Sequence, residues 1–524
     1  MVILCRICQI FKHTVNIAIP DRYNKELLYS KGEGALGAYE AGIYRSLYEG
    51  LKWEVKEKRP LFDIVAGTSA GAINATLIVN HVLQNKDEEN PWKGSDETLY
   101  RFWQEVSIDT PQYENPFLQG WLYTSSKLRE GVNNFWVNTL KPFDNMFGNM
   151  REQSPMLSYY YMWPDKLGRL ASGEAFRRYW SWYQFAYLPW GTHKVLSPPI
   201  YQPDFRFLNP FNYILRFDNS PIVETIRKFW DDSKNPIKTD EGEPRLLLVG
   251  VDVQDATTIT FDSYPKKYNQ RMSVYGDEDS KSKHVIKYPD GIKMEHLLTT
   301  MSSHLRYKFP ELPAITGEVI DDKIPEGKQY NRIFMDGYYL SNTPLREVIQ
   351  SHRDYWYKVK GLDNVPSLEV YIGILYPTKE QGVPEDPDSI NNRVQNVLFH
   401  DKSKHDEKVT SMVSDYINII NSLMDMIRSD RNYSSNDSIY RELENPLANK
   451  LVSMSRSGNP RETRKLIEGR VTINKLQRIG YGEGQSLESS DDINGKTFDF
   501  SRKTINDLID RGSVDTRAQC NFQT

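Results

Sequence analysis

This 524-residue chain contains few cysteines, no long apolar run and no large excess of either charge sign. The three cysteines, Cys5, Cys8 and Cys520, are too few and too badly placed for a disulfide framework, and Cys5-x-x-Cys8 lacks a second pair with which to bind zinc. We therefore expect three free thiols. Because 66 Lys+Arg face 70 Asp+Glu, the net charge is only -4, and we expect no nucleic-acid partner.

Signals for membrane insertion and secretion are missing as well. No run of about 18 apolar residues occurs. Arg6, Lys12 and His13 interrupt the apolar opening, which makes a poor signal peptide. We expect a cytoplasmic protein, with peripheral contact at a membrane surface left open.

The order of strands and helices predicts an α/β fold. ELLYS at 26–30 reads as a buried strand and 37–51 as a helix, and the next strand at 62–66 again leads through a glycine turn into a helix. Two such units in tandem predict a parallel sheet. Further strands are predicted at 245–253, 257–263, 331–335 and 367–376, and helices at 221–230 (capped by Ser220), 291–303 and 344–353.

Composition divides the chain into regions. Residues 1–25 read as an N-terminal extension and 26–380 as the main α/β domain. Nine of the eleven tryptophans lie between Trp92 and Trp230, which indicates an aromatic-rich insertion at about 91–220. The insertion is open to three interpretations: a lid at a lipid surface, the wall of an acyl pocket, or the core of an irregular subdomain.

Beyond a linker rich in Pro and acidic residues at 377–389, we predict a mainly helical C-terminal region at 390–524. Its helices are predicted at 390–400, 406–428 and 437–452, with a last one in FSRKTINDLIDRG.

The second glycine turn, Gly67-Thr68-Ser69-Ala70-Gly71, matches G-x-S-x-G between a strand and a helix. Small residues at both ends allow the sharp turn that exposes a serine nucleophile, and the Ala70 N–H at the helix N-terminus would stabilise an oxyanion. The alternative is a structural turn whose serine only caps the helix.

A serine nucleophile needs a base, and Asp336-Gly337 follows the apolar strand NRIFM. A carboxylate at that strand end could enter the same crevice as Ser69. Read by itself, Asp-Gly at a strand end is more often a turn.

The first glycine loop, Gly32-Glu33-Gly34-Ala35-Leu36-Gly37, satisfies G-x-G-x-x-G. A dinucleotide site would need a second strand ending in an acidic residue about 20 residues later. The sequence there, LKWEVKEKRP, reads as a polar helix end, so we expect the loop amides to form the other side of an oxyanion hole. Nucleotide binding and a close-packing turn are the alternatives.

These three motifs, in this order and with Asn342 and Pro344 after Asp336-Gly337, resemble the patatin-like phospholipase family. The resemblance covers residues of about 26–376 and makes this stretch the catalytic domain. The ending TFDFSRKTINDLIDRG is similar to a C-terminal region of some bacterial patatin-like proteins.

The resemblance implies a three-layer α/β/α sandwich with a mainly parallel central sheet, and a lipid acyl hydrolase of the phospholipase A type that needs no cofactor or metal. Ser69 would attack the ester of a lipid or phospholipid, and Asp336 would accept its proton without a histidine. The acyl-enzyme would then react with water. We expect polar surroundings that keep the pKa of Asp336 low.

Two residues depart from the family pattern. Glu33 replaces the middle of three glycines, and we predict that its side chain points outward while its amide still contributes. Leu36 replaces a frequent Arg, so a substrate charge that Arg would meet goes unmet. The rival interpretations are a silent lipid-binding or interaction protein with the same fold, and a histidine-assisted enzyme using His352, His400 or His405.

Overall fold

The computed structural model describes residues 3–6, 26–30, 34–52, 60–108, 195, 219–266, 270–276, 282–302, 309–318, 327–362, 365–376, 393–394, 396–429, 452–454, 460–462, 471–480, 499–520 and 522. The strands are β1 (Ile3–Arg6), β2 (Glu26–Ser30), β3 (Ile64–Gly67), β4 (Arg245–Asp252), β5 (Thr257–Asp262), β6 (Met272–Tyr275), β7 (Ser282–Lys287), β8 (Glu311–Glu318), β9 (Lys328–Asp336), β10 (Leu368–Ile374), β11 (Val452–Met454), β12 (Pro460–Glu462) and β13 (Ile473–Gly480).

The helices are α1 (Gly37–Leu51), α2 (Ala70–Gln84), α3 (Ser95–Val106), α4 (Ser220–Arg227), α5 (Met294–Thr299), α6 (Leu345–Arg353), α7 (Ser403–Ser429) and α8 (Arg502–Gln519). Short 3-10 turns precede α1 at 34–36 and follow β9 at 337–339, and a π-helical turn at 354–359 continues α6.

The large sheet contains eleven of the described strands and is mixed. The predicted parallel units are present, since β2 pairs in parallel with β3, and β3 with β4. The expectation of a mainly parallel sheet is wrong: β5 and β9 both run antiparallel to β4, and β6 to β9 form an antiparallel meander. Strand direction depends on pairing between distant segments, which local patterns do not encode.

The pairing along β4 positions the site. β5 pairs along one edge of β4, from Leu247 to Asp252. β3 and β9 therefore share the opposite edge, β3 ending with Gly67 beside Leu248 and β9 ending with Asp336 beside Gly250. Because these two strands run in opposite directions, their carboxyl ends meet there.

Helices cover both faces of the central strands. Side chains alternate between the faces of a strand, so Val65 and Leu248 lie in a core shared with α1, α2 and α3. Ala66 and Leu247 lie in a second core with α6 and its π-helical continuation. The apolar sequences of β3 and β4 follow from this burial on both sides.

Both ends of the chain contribute to this fold. β1, within the predicted N-terminal extension, pairs antiparallel with β10. β13 pairs in parallel along the opposite edge of β10, where the sequence predicts no strand. Most described residues of the predicted C-terminal region are helical, in α7 and α8, but β13 among them extends the main sheet, so this region packs with the main domain.

The C-terminal helix α8, which the sequence predicted, crosses α1 closely. A Cβ added to Gly42 would collide with Ile509 O, and one added to Gly512 would collide with Tyr39 O. The Tyr39 hydroxyl also donates to Asp515 Oδ2 at 2.8 Å. Glycines at the crossing let the two backbones touch, which anchors α8 on the helix that follows the first glycine loop.

Several predicted boundaries change. Ser220 is the first residue of α4 rather than its cap, which is Asn219, and the predicted helix 291–303 is reduced to α5. The linker 377–389 and residues 437–451 lie outside the described residues. The described part of the predicted helix 390–400 is helical. Cys520 is a free, buried thiol as expected.

Candidate active site

Ser69 occupies a strained turn between β3 and α2. Its backbone has φ 53° and ψ −129°, a conformation that residues with a side chain rarely adopt. The chain turns so sharply that a Cβ on Gly67 would collide with Gly71 O. Ser69 precedes α2, but its side chain makes no capping hydrogen bond. The hydroxyl is therefore not used to hold the helix, which counts against the interpretation of a structural cap.

The segment after α5 forms backbone hydrogen bonds with both the serine turn and the end of β9. The Ser69 N–H donates to Thr300 O at 2.8 Å, and the Asp336 N–H donates to Ser302 O at 3.0 Å. Thr300 and Ser302 are both buried. Sequence reasoning could not have selected these residues, because the contacts are made by backbone carbonyls, which every residue type has.

Asp336 reaches Ser69 because a glycine follows it. A Cβ on Gly337 would collide with Val249 O and would lie 2.7 Å from Thr68 Cγ2. Glycine therefore lets the end of β9 press against β4 and against the residue before Ser69. This close approach explains the Asp-Gly pair better than turn propensity alone.

The Asp336 carboxyl is fully buried. Its Oδ1 accepts from the Tyr338 N–H at 3.1 Å, which holds the turn, whereas Oδ2 has no hydrogen-bond partner among the described residues. Burial raises the pKa of Asp336 to about 8, against the lowering effect of the nearby Ser69 hydroxyl and of the Tyr338 N–H. Because no well-formed hydrogen bond reaches Oδ2, we regard the Ser69 hydroxyl as a near neighbour of the carboxyl rather than a fixed donor.

The expectation of polar surroundings and a low pKa for Asp336 is therefore wrong. The carboxyl is fully buried, and desolvation disfavours its charged form. A raised pKa in a buried position beside a serine hydroxyl is typical of groups that exchange protons.

The first glycine loop is described from Gly34 onward, and Gly32 and Glu33 lie outside the described residues. Gly34 has φ 48°, which favours glycine. Ala35 and Leu36 are buried in the core, so neither side chain is placed to meet a substrate charge. The outward direction predicted for Glu33 stays a prediction.

Gly37 brings this loop next to the serine turn. A Cβ on Gly37 would lie 2.7 Å from Ala70 Cβ and 2.6 Å from Trp103 Cζ2. The N-terminus of α1 therefore touches the N-terminus of α2. The unpaired amides at two helix N-termini make this an environment that favours negative charge.

A residue that the sequence did not suggest joins the two helices. Asn74, on α2, donates from Nδ2 to Gly37 O at 3.0 Å and to Glu40 Oε2 at 3.3 Å. Its Oδ1 accepts from Trp103 Nε1 at 3.0 Å. Asn74 could have been suspected only as a polar residue in the otherwise small and apolar stretch that follows Ser69.

The histidines considered as bases lie elsewhere. His352 Nε2 pairs with Pro366 O at 2.9 Å, and His400 Nδ1 with Val397 O at 2.7 Å. No described contact of Ser69 or Asp336 involves a histidine. Within the described ranges, no group of three His, Cys, Asp or Glu side chains is arranged to hold a metal ion.

Three tryptophans from the aromatic-rich region are described, namely Trp92, Trp103 and Trp230, and all three are buried. They pack into the core shared with α1 and α2. The rest of the insertion, 109–218 apart from residue 195, lies outside the described residues, so the lid, the pocket wall and the irregular subdomain all stay predictions. No helix in the described part of the chain has the length and apolarity needed to cross a membrane.

Comparisons with known proteins bear on this site. A comparison with curated proteins finds no match. Among solved structures, the chain is similar to VipD from Legionella pneumophila, with 10% identity and a TM-score of 0.22 over 92% of this chain and 66% of VipD. The chain thus spans slightly less than two thirds of VipD. The family described as Patatin-like phospholipase matches residues 31–349. Since this is more than half of the 524 residues, the chain belongs to the patatin-like phospholipase family.

Proposed function

We propose that this protein is a lipid acyl hydrolase in which Ser69 is the nucleophile and Asp336 the base. The observation that carries the proposal is the meeting of the carboxyl ends of β3 and β9 on one edge of β4. There a serine in a strained turn lies near a buried carboxyl, one oxygen of which has no hydrogen-bond partner among the described residues. Family membership supplies the substrate class, a lipid ester.

In the first step, Ser69 Oγ forms a bond to the ester carbonyl carbon while its proton passes to the Asp336 carboxylate. The carbonyl oxygen becomes an oxyanion. Amides of the loop from Gly32 to Gly37 and of Ala70 stabilise it by hydrogen bonding. The carbon–oxygen bond of the ester then breaks, and the leaving alcohol takes the proton from Asp336.

In the second step, water attacks the acyl-enzyme and gives its proton to Asp336. The bond between the acyl group and Ser69 Oγ breaks, the fatty acid leaves, and the proton returns to Ser69. No electrons are exchanged with another reactant, so the cycle needs only ester and water. Because the substrate is a lipid aggregate, the proposal includes transient contact with a membrane surface.

A fluorophosphonate probe tests this function, since an activated serine displaces fluoride from phosphorus and stays labelled. We expect labelling of the wild type, loss of labelling in Ser69→Ala, and loss of phospholipid hydrolysis in the same variant. Ser46→Ala is the matched control, because Ser46 is buried and hydrogen-bonds Ser513 O at the α1–α8 contact. It should keep full labelling.

A wild type that neither labels nor hydrolyses any ester in a panel of phospholipids, glycerides and thioesters would favour the rival, a silent lipid-binding protein with the same fold. In that case vesicle binding would persist and would not change in Ser69→Ala. Hydrolysis confined to the acyl bonds of phospholipids would support phospholipase A activity.

A further inference from the structure

Asn74 lies between the two glycine motifs. It is five residues after Ser69 on α2 and is 1% exposed. Its side-chain amide reaches across to the first turn of α1, where it donates to Gly37 O and Glu40 Oε2. The same side chain is held by Trp103 Nε1.

The helices α1 and α2 are tightly packed where Gly37 contacts Ala70. Gly37 cannot carry a Cβ because Ala70 and Trp103 fill the space. A small residue sets the distance between the helices, but it does not fix how α1 is rotated about its axis. The bond from Asn74 to Gly37 O supplies that constraint, because it fixes the direction of one peptide group in the first turn.

We propose that Asn74 is a positioning residue for the hydrolysis: it holds the first turn of α1 so that the amides of the described part of the loop, Gly34 to Gly37, point at the oxyanion formed on Ser69. This inference rests on the proposed function. Oxyanion donors are effective only when they are pre-aligned with the charge that develops, and displacements of about 1 Å cost on the order of 10²-fold in rate.

A purely structural role is the alternative, and the chain contains a matched control for it. Asn80 lies on the same helix, is buried, and donates from Nδ2 to a backbone carbonyl, Phe229 O, at 3.1 Å. Its partner lies outside the candidate site. Asn80→Ala should therefore destabilise the fold as Asn74→Ala does, but without changing catalysis by the folded molecules.

The test compares kcat, KM and the fluorophosphonate labelling rate in both variants. We expect Asn74→Ala to lower kcat and the labelling rate about 10- to 100-fold, with KM changed less than about threefold. Asn80→Ala should lower Tm and leave kcat unchanged. The pH midpoint of kcat/KM should stay at the wild-type value in Asn74→Ala, because Asn74 acts on the amides and not on the base.

Trp103→Phe keeps an aromatic ring but removes the N–H that holds Asn74, together with the part of the indole that packs beside Gly37, so it covers the case in which Asn74→Ala does not fold. It should lower kcat in the same direction but less. The inference is overturned if Trp103→Phe has the wild-type kcat and if Asn74→Ala and Asn80→Ala have the same kcat as each other.

Two outcomes separate this inference from the proposed function. If the wild type is inactive and unlabelled, both the proposed function and this inference are overturned. If the wild type is active and the Asn74 variant has the same activity, this inference alone is overturned.

Discussion

Two buried carboxyl groups, one on β5 near the amino end of β4 and one on β9 nearer its carboxyl end, differ in their partners. At the amino end, Asp262 is 1% exposed and is held by Arg245 through Nε at 2.8 Å and Nη2 at 2.5 Å. At the carboxyl end, Asp336 is 0% exposed, and no Arg or Lys of the described residues forms an ion pair with it. One oxygen of Asp336 also lacks a hydrogen-bond partner in that part of the chain.

The same burial therefore has opposite outcomes. Desolvation raises the pKa of both groups, but at Asp262 the charge and hydrogen bonds of Arg245 outweigh it and bring the pKa below the ordinary value. At Asp336 desolvation prevails, and the pKa is about 8. The paired carboxylate stays charged and holds structure, whereas the unpaired one can exchange a proton near neutral pH. Four predictions test this contrast.

The largest effect is expected from removing the proton acceptor. Asp336→Asn keeps the size of the side chain and the acceptor for the Tyr338 N–H, but it leaves no base for Ser69. We expect kcat to fall by about 10³-fold or more, as judged by ester hydrolysis, with an unchanged circular dichroism spectrum. Activity within about tenfold of the wild type would show that another group takes the proton.

At the other end of β4, Asp262→Asn should cost stability and not chemistry. It leaves the Arg245 guanidinium buried without its counter-ion, and we expect a loss of about 3–5 kcal/mol in the free energy of unfolding, measured in urea. The double variant Arg245→Met with Asp262→Leu removes both charges and should recover most of this loss. An unchanged urea midpoint in Asp262→Asn would contradict the stabilising role of the Asp262–Arg245 pair.

The pH dependence of activity should report the Asp336 pKa. A base works in its deprotonated form, so kcat/KM should rise about tenfold per pH unit below pH 8 and level off above it. Initial rates with a soluble ester between pH 6 and 9.5 measure this midpoint. A plateau already reached at pH 6 would mean that the carboxyl is ionised in spite of its burial.

The smallest effect is a gain in stability. A carboxyl whose pKa is raised on folding contributes stability at pH values below its unfolded pKa of about 4, and loses that contribution as the pH rises through its folded pKa. Asp336→Asn cannot ionise, so its stability should exceed that of the wild type at pH 9 and match it at pH 4. Urea midpoints at the two pH values measure the difference, and an equal gain at both would point to packing instead.

How far the sequence predicted this molecule depends on the range of the interactions. The helices α1 and α2, the strands β2 to β5 and the final helix α8 were predicted within a few residues, because periodicity and glycine turns act locally. The three-motif resemblance also predicted the family correctly. The direction of β9, the place of β13 in the sheet and the supporting roles of Thr300 and Asn74 were not predicted, since each depends on a contact between distant segments.

By itself, the sequence determined the residue types and the turns: a serine between glycines after an apolar strand, and an aspartate followed by the only residue small enough to lie against β4. These follow from steric limits within a few residues. Only the tertiary structure decided that β3 and β9 end facing each other on one edge of β4, and that Asp336 is buried there with no Arg or Lys of the described residues paired to it. The pKa of Asp336 could not be predicted from the sequence, because the desolvation of this carboxyl depends on how the whole chain packs around it.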